Sequence, residues 1–287
     1  MAYKNRHAYL ICAHNNYKTL ALLLETLDSS NVDIYIHIDR KSEFTLKDKE
    51  DITANVKESK IYFSKRINVW WGGYSQTKAF VNLIRQAVET GKYDYFHMLT
   101  GQTMPIKSKA LIEEFYEKNY GKEFIHFSTT DSYDRVRYYL PFSENFSNLK
   151  GIKRFINRAF ISLQKRIKID LFKHHNLEYR WGSAFGSITE GFAKYLISQE
   201  NKIKKCFSHT PISCESYLQT VLWNSQFRDN IFEFGEKENH LLYVKWEGGY
   251  GHADVINKEE FQTIASVSKA LWACKFDDKT SCECFRK

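Results

Sequence analysis

The sequence predicts an α/β fold: a mainly parallel sheet flanked by helices. Apolar strand-like runs alternate with segments of helical apolar spacing through the first third of the chain, which is the pattern of β-α-β units. Each strand-like run stops at a polar turn. Three prolines, thirteen glycines and no repeat or low-complexity tract leave no linker in 287 residues, so residues 1–287 are expected to form a single domain.

The elements follow in order. His7 to Cys12 is a short apolar run that ends at Ala13-His14-Asn15-Asn16. From Tyr17 to Leu27, Leu20, Leu23, Leu24 and Leu27 recur at helical spacing. Val32 to Ile38 is a second apolar strand, stopped at Asp39-Arg40-Lys41. Ser75 to Ala87 reads as an amphipathic helix with Ser75 as its N-cap, and Tyr93 to Leu99 as a third buried strand. In open α/β sheets ligands sit beyond the carboxyl ends of the strands, so the chemistry is sought in these polar turns.

The middle of the chain changes character. Residues 149–172 interleave Lys150, Lys153, Arg154, Arg158, Lys165, Arg166 and Lys168 with Ile152, Phe155, Ile156, Phe160, Ile161, Leu163, Ile167 and Ile169. This basic amphipathic pattern fits a surface helix packed on the core with a solvated basic face. It also fits a membrane-surface helix drawn to anionic lipid. Nucleic acid is not expected as a partner, because no nucleic-acid motif accompanies the charge. In the last third, Ser187 to Ile197, Ser216 to Trp223 and Lys258 to Ser268 read as helices. His240 to Trp246 reads as a strand, and Ala270 to Asp277 runs into a charged tail.

Composition narrows the class. Hydrophobic residues at 43% and charged residues at 26% are ordinary for a soluble globular protein. No apolar run approaches the roughly 18–20 residues of a membrane span, and Met1 to Arg6 lead into a strand without a signal-peptide pattern. A cytoplasmic protein is expected, peripheral at most on the inner face of the cell membrane. Six cysteines without paired spacing or nearby histidines read as free thiols. The net charge of +8 fits an anionic ligand or surface.

Two segments stand out chemically. Val69-Trp70-Trp71-Gly72-Gly73-Tyr74-Ser75-Gln76 sets two tryptophans beside two glycines ahead of a helix. Glycine allows close backbone approach, and aromatic rings bind sugar faces; a core-anchoring turn is the plainer reading. Leu99 to Lys107 is a polar loop after a buried strand, either an acceptor-side wall or a turn.

Seven stretches in order carry a resemblance over about residues 7 to 277. They are His37-Ile38-Asp39-Arg40-Lys41-Ser42, Trp71-Gly72-Gly73-Tyr74-Ser75, and Tyr93 to Gln102 continuing to Pro105-Ile106-Lys107. Gly182-Ser183-Ala184-Phe185, Cys214-Glu215-Ser216-Tyr217 with Gln219-Thr220, Val244-Lys245-Trp246 and Lys275-Phe276-Asp277 complete them. The sequence resembles the core-2/I-branching enzyme and peptide O-xylosyltransferase family, glycosyltransferase family 14, in a bacterial-type form. The resemblance implies a GT-A-like, Rossmann-like fold lacking the Asp-x-Asp motif, a UDP-sugar donor, inversion at the anomeric carbon and no divalent metal cofactor. Residues 1–130 would then be mainly the nucleotide-binding half, and 131–287 the acceptor-binding and catalytic half.

Residue by residue, the resemblance implies that Glu215 is the base that deprotonates the acceptor hydroxyl. It implies that Lys275 stabilises the departing UDP, the task a metal performs in ordinary GT-A enzymes. The partner cation of the family falls on His252, with Arg286 and Lys287 as substitutes. Asp39 and His14 would lie at the nucleotide, Ser183 near the donor phosphates and sugar, and Trp246 would stack on the acceptor. Arg135 and Arg137 would contact the acceptor. Read without the resemblance, Glu215 is a first-turn helix carboxylate favoured by the helix dipole, and Lys275 a solvated lysine. Asp39 and His14 could merely close their turns.

The expected function is transfer of a sugar (GlcNAc or another UDP-linked hexose or xylose) to a glycan or lipid-linked glycan in bacterial surface polysaccharide synthesis. The alternative is a non-catalytic carbohydrate- or nucleotide-binding module on the same fold.

Overall fold

The structure is a computed structural model that describes residues 5–247 and 253–286. It opens as expected. β1 (His7–Ala13) leads through α1 (Tyr17–Leu27) to β2 (Val32–Ile38), then through α2 (Leu46–Thr53) to β3 (Lys60–Phe63). α3 (Tyr74–Thr90) precedes β4 (Tyr95–Thr100). These four strands pair in parallel, and their register sets Cys12 opposite both His37 and Thr100. The carboxyl ends of β1, β2 and β4 are therefore level, and the turns after them share one edge of the sheet.

β5 (Thr103–Pro105), α4 (Lys109–Lys118) and β6 (Phe124–Ile125) follow, then the single-turn α5 (Asp134–Arg137) and α6 (Gly151–Arg166). β7 (Gly186–Thr189) and α7 (Glu190–Ser198) replace the one helix expected over Ser187 to Ile197. Tertiary pairing overrides local pattern there, since β7 is antiparallel to both β4 and β6. Gly186 permits it: a Cβ at that position would sit 2.4 Å from the Phe124 carbonyl oxygen. The main sheet runs β3-β2-β1-β4-β7-β6.

The chain closes with α8 (Glu200–Phe207), α9 (Tyr217–Trp223), β8 (Leu242–Val244), α10 (Lys258–Val267), β9 (Trp272–Cys274) and α11 (Asp278–Phe285). The tail expected to be merely charged is thus a helix. Asp277 caps it by accepting from the Lys279 and Thr280 amides, and Asp278 accepts from the amide and hydroxyl of Thr19 on α1. A second sheet, β5-β9-β8, sets β9 antiparallel to β5 and parallel to β8.

Alternation along the strands feeds two cores. Tyr9, Ile11, Ile34 and Ile36 pack with α1, α4, α10 and Trp272 on one face; Ala8, Leu10, Tyr35 and Phe96 pack with α3, α7 and α9 on the other. A buried polar chain crosses the sheet: His7 Nδ1 to His97 Nε2, His97 Nδ1 to Ser187 Oγ, and Ser187 to the Tyr116 hydroxyl, each at 2.8 Å. Burial pushes His97 well below its usual pKa.

α6 departs from the packed-apolar-face expectation. Its buried residues are Asn157 and Gln164. Asn157 brackets the Phe142 backbone, accepting from its amide and donating to its carbonyl, both at 3.1 Å. Gln164 does the same with Tyr139 at 2.9 Å. Two backbone segments that would otherwise lack partners are satisfied this way, while Ile152, Phe155, Phe160 and Leu163 are exposed and Ile156 and Ile161 half-buried.

Candidate active site

Three elements end on the same edge of the molecule. His14 and Asp39 follow β1 and β2 directly. Lys275 follows β9, whose Cys274 pairs with Thr103 of β5. The Thr103 hydroxyl lies 3.1 Å from that of Thr100 at the end of β4. Through this stitch the second sheet carries Lys275 to the carboxyl ends of the main strands. The Cys274–Lys275 peptide is cis. β8 runs parallel to β9 with Val244 opposite Cys274, so Trp246 emerges at the same end as Lys275. Trp246 is 61% exposed, as a stacking platform requires and a core aromatic does not.

The charges at this edge act on one another. Partial desolvation pushes the His14 imidazole below its ordinary pKa; Asp39 opposes that shift, and the ammonium groups of Lys275 and Lys41 add to it. Asp39 is itself well held. Its Oδ1 accepts from the amides of Lys41 at 3.0 Å and Val69 at 3.2 Å, its carbonyl accepts from Arg66 at 2.8 Å, and Lys41 Nζ stands 3.5 Å from Oδ2. The Lys41 ammonium also lies 3.9 Å over the Trp70 ring.

The Trp70–Gly73 turn links this side to Glu215. Gly72, at a φ of 71° that suits glycine, accepts from the Ile212 amide at 2.7 Å. Ser213 bonds Thr77 at 2.8 Å. Together they fix the 3-10 turn Ser213–Glu215 against the start of α3. The N-cap of α3 is Gly73 rather than Ser75. The Ser75 hydroxyl is drawn back to accept from the Trp70 amide at 2.8 Å, which leaves it no role at the helix end.

Glu215 is half-buried, and Oε2 accepts from Arg135 Nη1 at 2.8 Å; among the described residues Oε1 has no hydrogen-bond partner. The Arg135 guanidinium lies 4.6 Å over the Trp181 ring. The Glu215 carbonyl accepts from the Gly182 amide at 2.8 Å, and the Ser183 carbonyl accepts from Gln219. Gly182 has no room for a side chain, since a Cβ would meet the His126 carbonyl oxygen at 1.9 Å. Trp181, His126 and Gln219 thus hold the Gly182-Ser183 turn and Arg135. Sequence reading assigned Trp181 and His126 nothing, and only their contacts reveal them.

The remaining candidates divide. Arg137 is engaged by Asp134 at 2.8 Å and Asp170 at 3.6 Å, a different set of partners from Arg135. His252 and Lys287 lie outside the described residues. Arg286 follows α11, roughly 12 Å along that helix from Asp278 at 1.5 Å per residue. Near the site, burial pushes the Cys214 thiol up to about 12 and raises that of Cys274, which disfavours the nucleophilic thiolate at both. Among the described residues no group of three or more His, Cys, Asp or Glu side chains gathers to hold a metal.

An open groove of about 490 Å³ adjoins the Trp70 turn, lined by Trp70, Phe142, Glu144, Asn148, Lys150 and Lys153. Its size and mix of aromatic and polar groups suit an extended polar ligand. A cavity of about 20 Å³ beside His7, Tyr9 and Trp272 lies toward the opposite ends of the strands and holds one water at most.

The family model described as Core-2/I-Branching enzyme matches residues 7–266. The Caenorhabditis briggsae xylosyltransferase sqv-6 is 24% identical over 225 residues, 75% of this chain and 26% of that protein. Human xylosyltransferase 1 is 21% identical over 230 residues, 76% of this chain and 21% of that protein. The chain thus spans about a quarter of the length of these relatives. Among solved structures, apo mouse xyloside xylosyltransferase 1 aligns over 96% of this chain and 98% of its own, at 8% identity and a TM-score of 0.40.

Proposed function

The chain belongs to the core-2/I-branching enzyme family, and on that premise we propose that it is an inverting, metal-independent glycosyltransferase. It moves a sugar from a UDP-sugar to a hydroxyl of a glycan acceptor, GlcNAc or another UDP-linked hexose or xylose being the sugars in view. The observation that supports this reading is the stitch from Thr100 through Thr103 to Cys274, which brings Lys275 to the strand ends near His14 and Asp39: a protein cation where a nucleotide diphosphate would lie.

The chemistry follows from the groups present. The acceptor hydroxyl attacks the anomeric carbon while Glu215 takes its proton, and the bond from that carbon to the UDP oxygen breaks on the opposite face. Negative charge then grows on the β-phosphate. Lys275, whose backbone carbonyl accepts from the Ile256 amide, presents the ammonium that stabilises it. Arg135 holds one oxygen of Glu215 and leaves the other for the acceptor. Asp39 and His14 bind the nucleotide side, Ser183 the donor, and Trp246 stacks on the acceptor sugar. The β1 to β6 half is the nucleotide half in this scheme, and an acceptor carried on a lipid in bacterial surface polysaccharide synthesis is its natural second substrate.

A screen of UDP-sugars against saccharide acceptors, read by UDP release, tests the reading. Release with at least one donor and acceptor pair is expected. UDP binding without release from any pair would replace the enzyme with a non-catalytic binding module.

A further inference from the structure

We infer that α6 is an interfacial helix that lays its outward apolar face into an anionic lipid bilayer. Its polarity is the reverse of a packed surface helix. Asn157 and Gln164, seven residues and two turns apart on one face, are the side chains buried against the protein. At about 100° per residue, Ile152, Phe155 and Leu163 fall more than a quarter turn from that face, with Phe160 and Ile167 flanking it, and Phe155 is 67% and Leu163 58% exposed. Large apolar side chains gathered in water at one helix face mark an interaction site.

Charge identifies the occupant. Within α6 stand Lys153, Arg154, Arg158, Lys165 and Arg166, and no carboxylate. Among the described residues Lys153, Arg154, Arg158 and Arg166 have no ion-pair partner. Cations flanking an apolar stripe meet anionic headgroups while the stripe enters the acyl boundary. A second copy of the chain would bring two such cationic faces together, which like-charge repulsion opposes. No helix among the described residues is long and apolar enough to cross a membrane, so α6, about 24 Å long at 1.5 Å per residue, lies along the surface. The groove beside Trp70 is walled by Lys150 and Lys153 at the start of α6. Docking therefore brings that groove to the headgroups, where an acceptor on a lipid would be presented; this last step alone rests on the proposed function.

Cosedimentation of the full chain with vesicles tests the inference without donor or acceptor, and so independently of catalysis. The chain is expected to bind phosphatidylcholine–phosphatidylglycerol vesicles, to bind pure phosphatidylcholine far less, and to be released by high salt. Phe155→Ser with Leu163→Ser should lower the partition coefficient by about tenfold or more, with thermal unfolding unchanged because both side chains are already in water. Phe155→Leu should retain binding. Equal sedimentation of wild type and the double serine variant would overturn the inference. So would indifference to lipid charge, or a wild-type dimer in solution that the double variant converts to monomer.

Discussion

The Glu215 carboxylate accepts from the Arg135 guanidinium at 2.8 Å, and that guanidinium rests on the Trp181 ring. The pair fixes the direction of the carboxylate from a separate element, the single turn α5. A base must be aimed before it is useful. Glu215→Gln is therefore expected to lower turnover by about 10²-fold or more with donor binding spared. Arg135→Ala should lower kcat by a smaller factor, since the carboxylate remains. Steady-state kinetics alongside UDP binding checks both; near-normal turnover of Glu215→Gln would remove it from the role.

Gly182 sits where any side chain would strike the His126 carbonyl, and its amide holds the Glu215 backbone. Gly182→Ala must move backbone rather than a flexible side chain. A loss of about 1–3 kcal/mol or more in stability is expected, as for overpacked interiors, together with a fall in turnover. Denaturant midpoints and UDP release on the same preparation would show both losses; an unchanged midpoint would contradict the contact.

Glu123 gives the molecule a pH-dependent stability. Burial pushes its carboxyl up to about 7, against the pull of the Thr189 amide and hydroxyl that bond it. The folded chain thus keeps a proton that the unfolded chain loses near the ordinary glutamate value. Stability from this group is full below that value and declines as pH rises through about 7, by roughly 3 kcal/mol in all. Wild-type Tm should fall between about pH 4.5 and pH 7 and level off above, and Glu123→Gln should flatten that slope. An equal slope in both proteins would contradict the assignment.

Asn157 is the buried anchor of α6, paired with both backbone groups of Phe142. Asn157→Ala strands an amide and a carbonyl, at a cost of roughly 1–3 kcal/mol. Ile152→Ser, in water on the other side, should cost almost nothing. Chemical denaturation of the two variants distinguishes the faces; the reverse order would mean the helix is turned the other way.

β1, β2 and β4 were legible because long apolar runs stopping at His14, Asp39 and Thr100 carry a strong periodic signal. β7 was not, because Gly186 to Thr189 runs straight into a helix and is a strand only through its pairing with β4 and β6. The amphipathic pattern of 149–172 announced a helix with two faces, but which face is covered depends on the backbone of Tyr139 and Phe142. The place of Lys275 at the strand ends is set by β5, β8 and β9, three residues each and more than a hundred positions apart at the widest. Pairs so short leave no period to read, and only the motif order pointed to that lysine. His126 and Trp181 act by contact alone and gave no signal.

The central claim is that Lys275 performs the task a divalent metal performs elsewhere. Initial rates of UDP release should be measured for wild type and Lys275→Ala, each in EDTA and in Mn²⁺. The account predicts equal wild-type rates in both media and a loss of about 10²–10³-fold in the variant under either. A wild-type rate abolished by EDTA and restored by Mn²⁺, or a Lys275→Ala enzyme as fast as wild type, would contradict it.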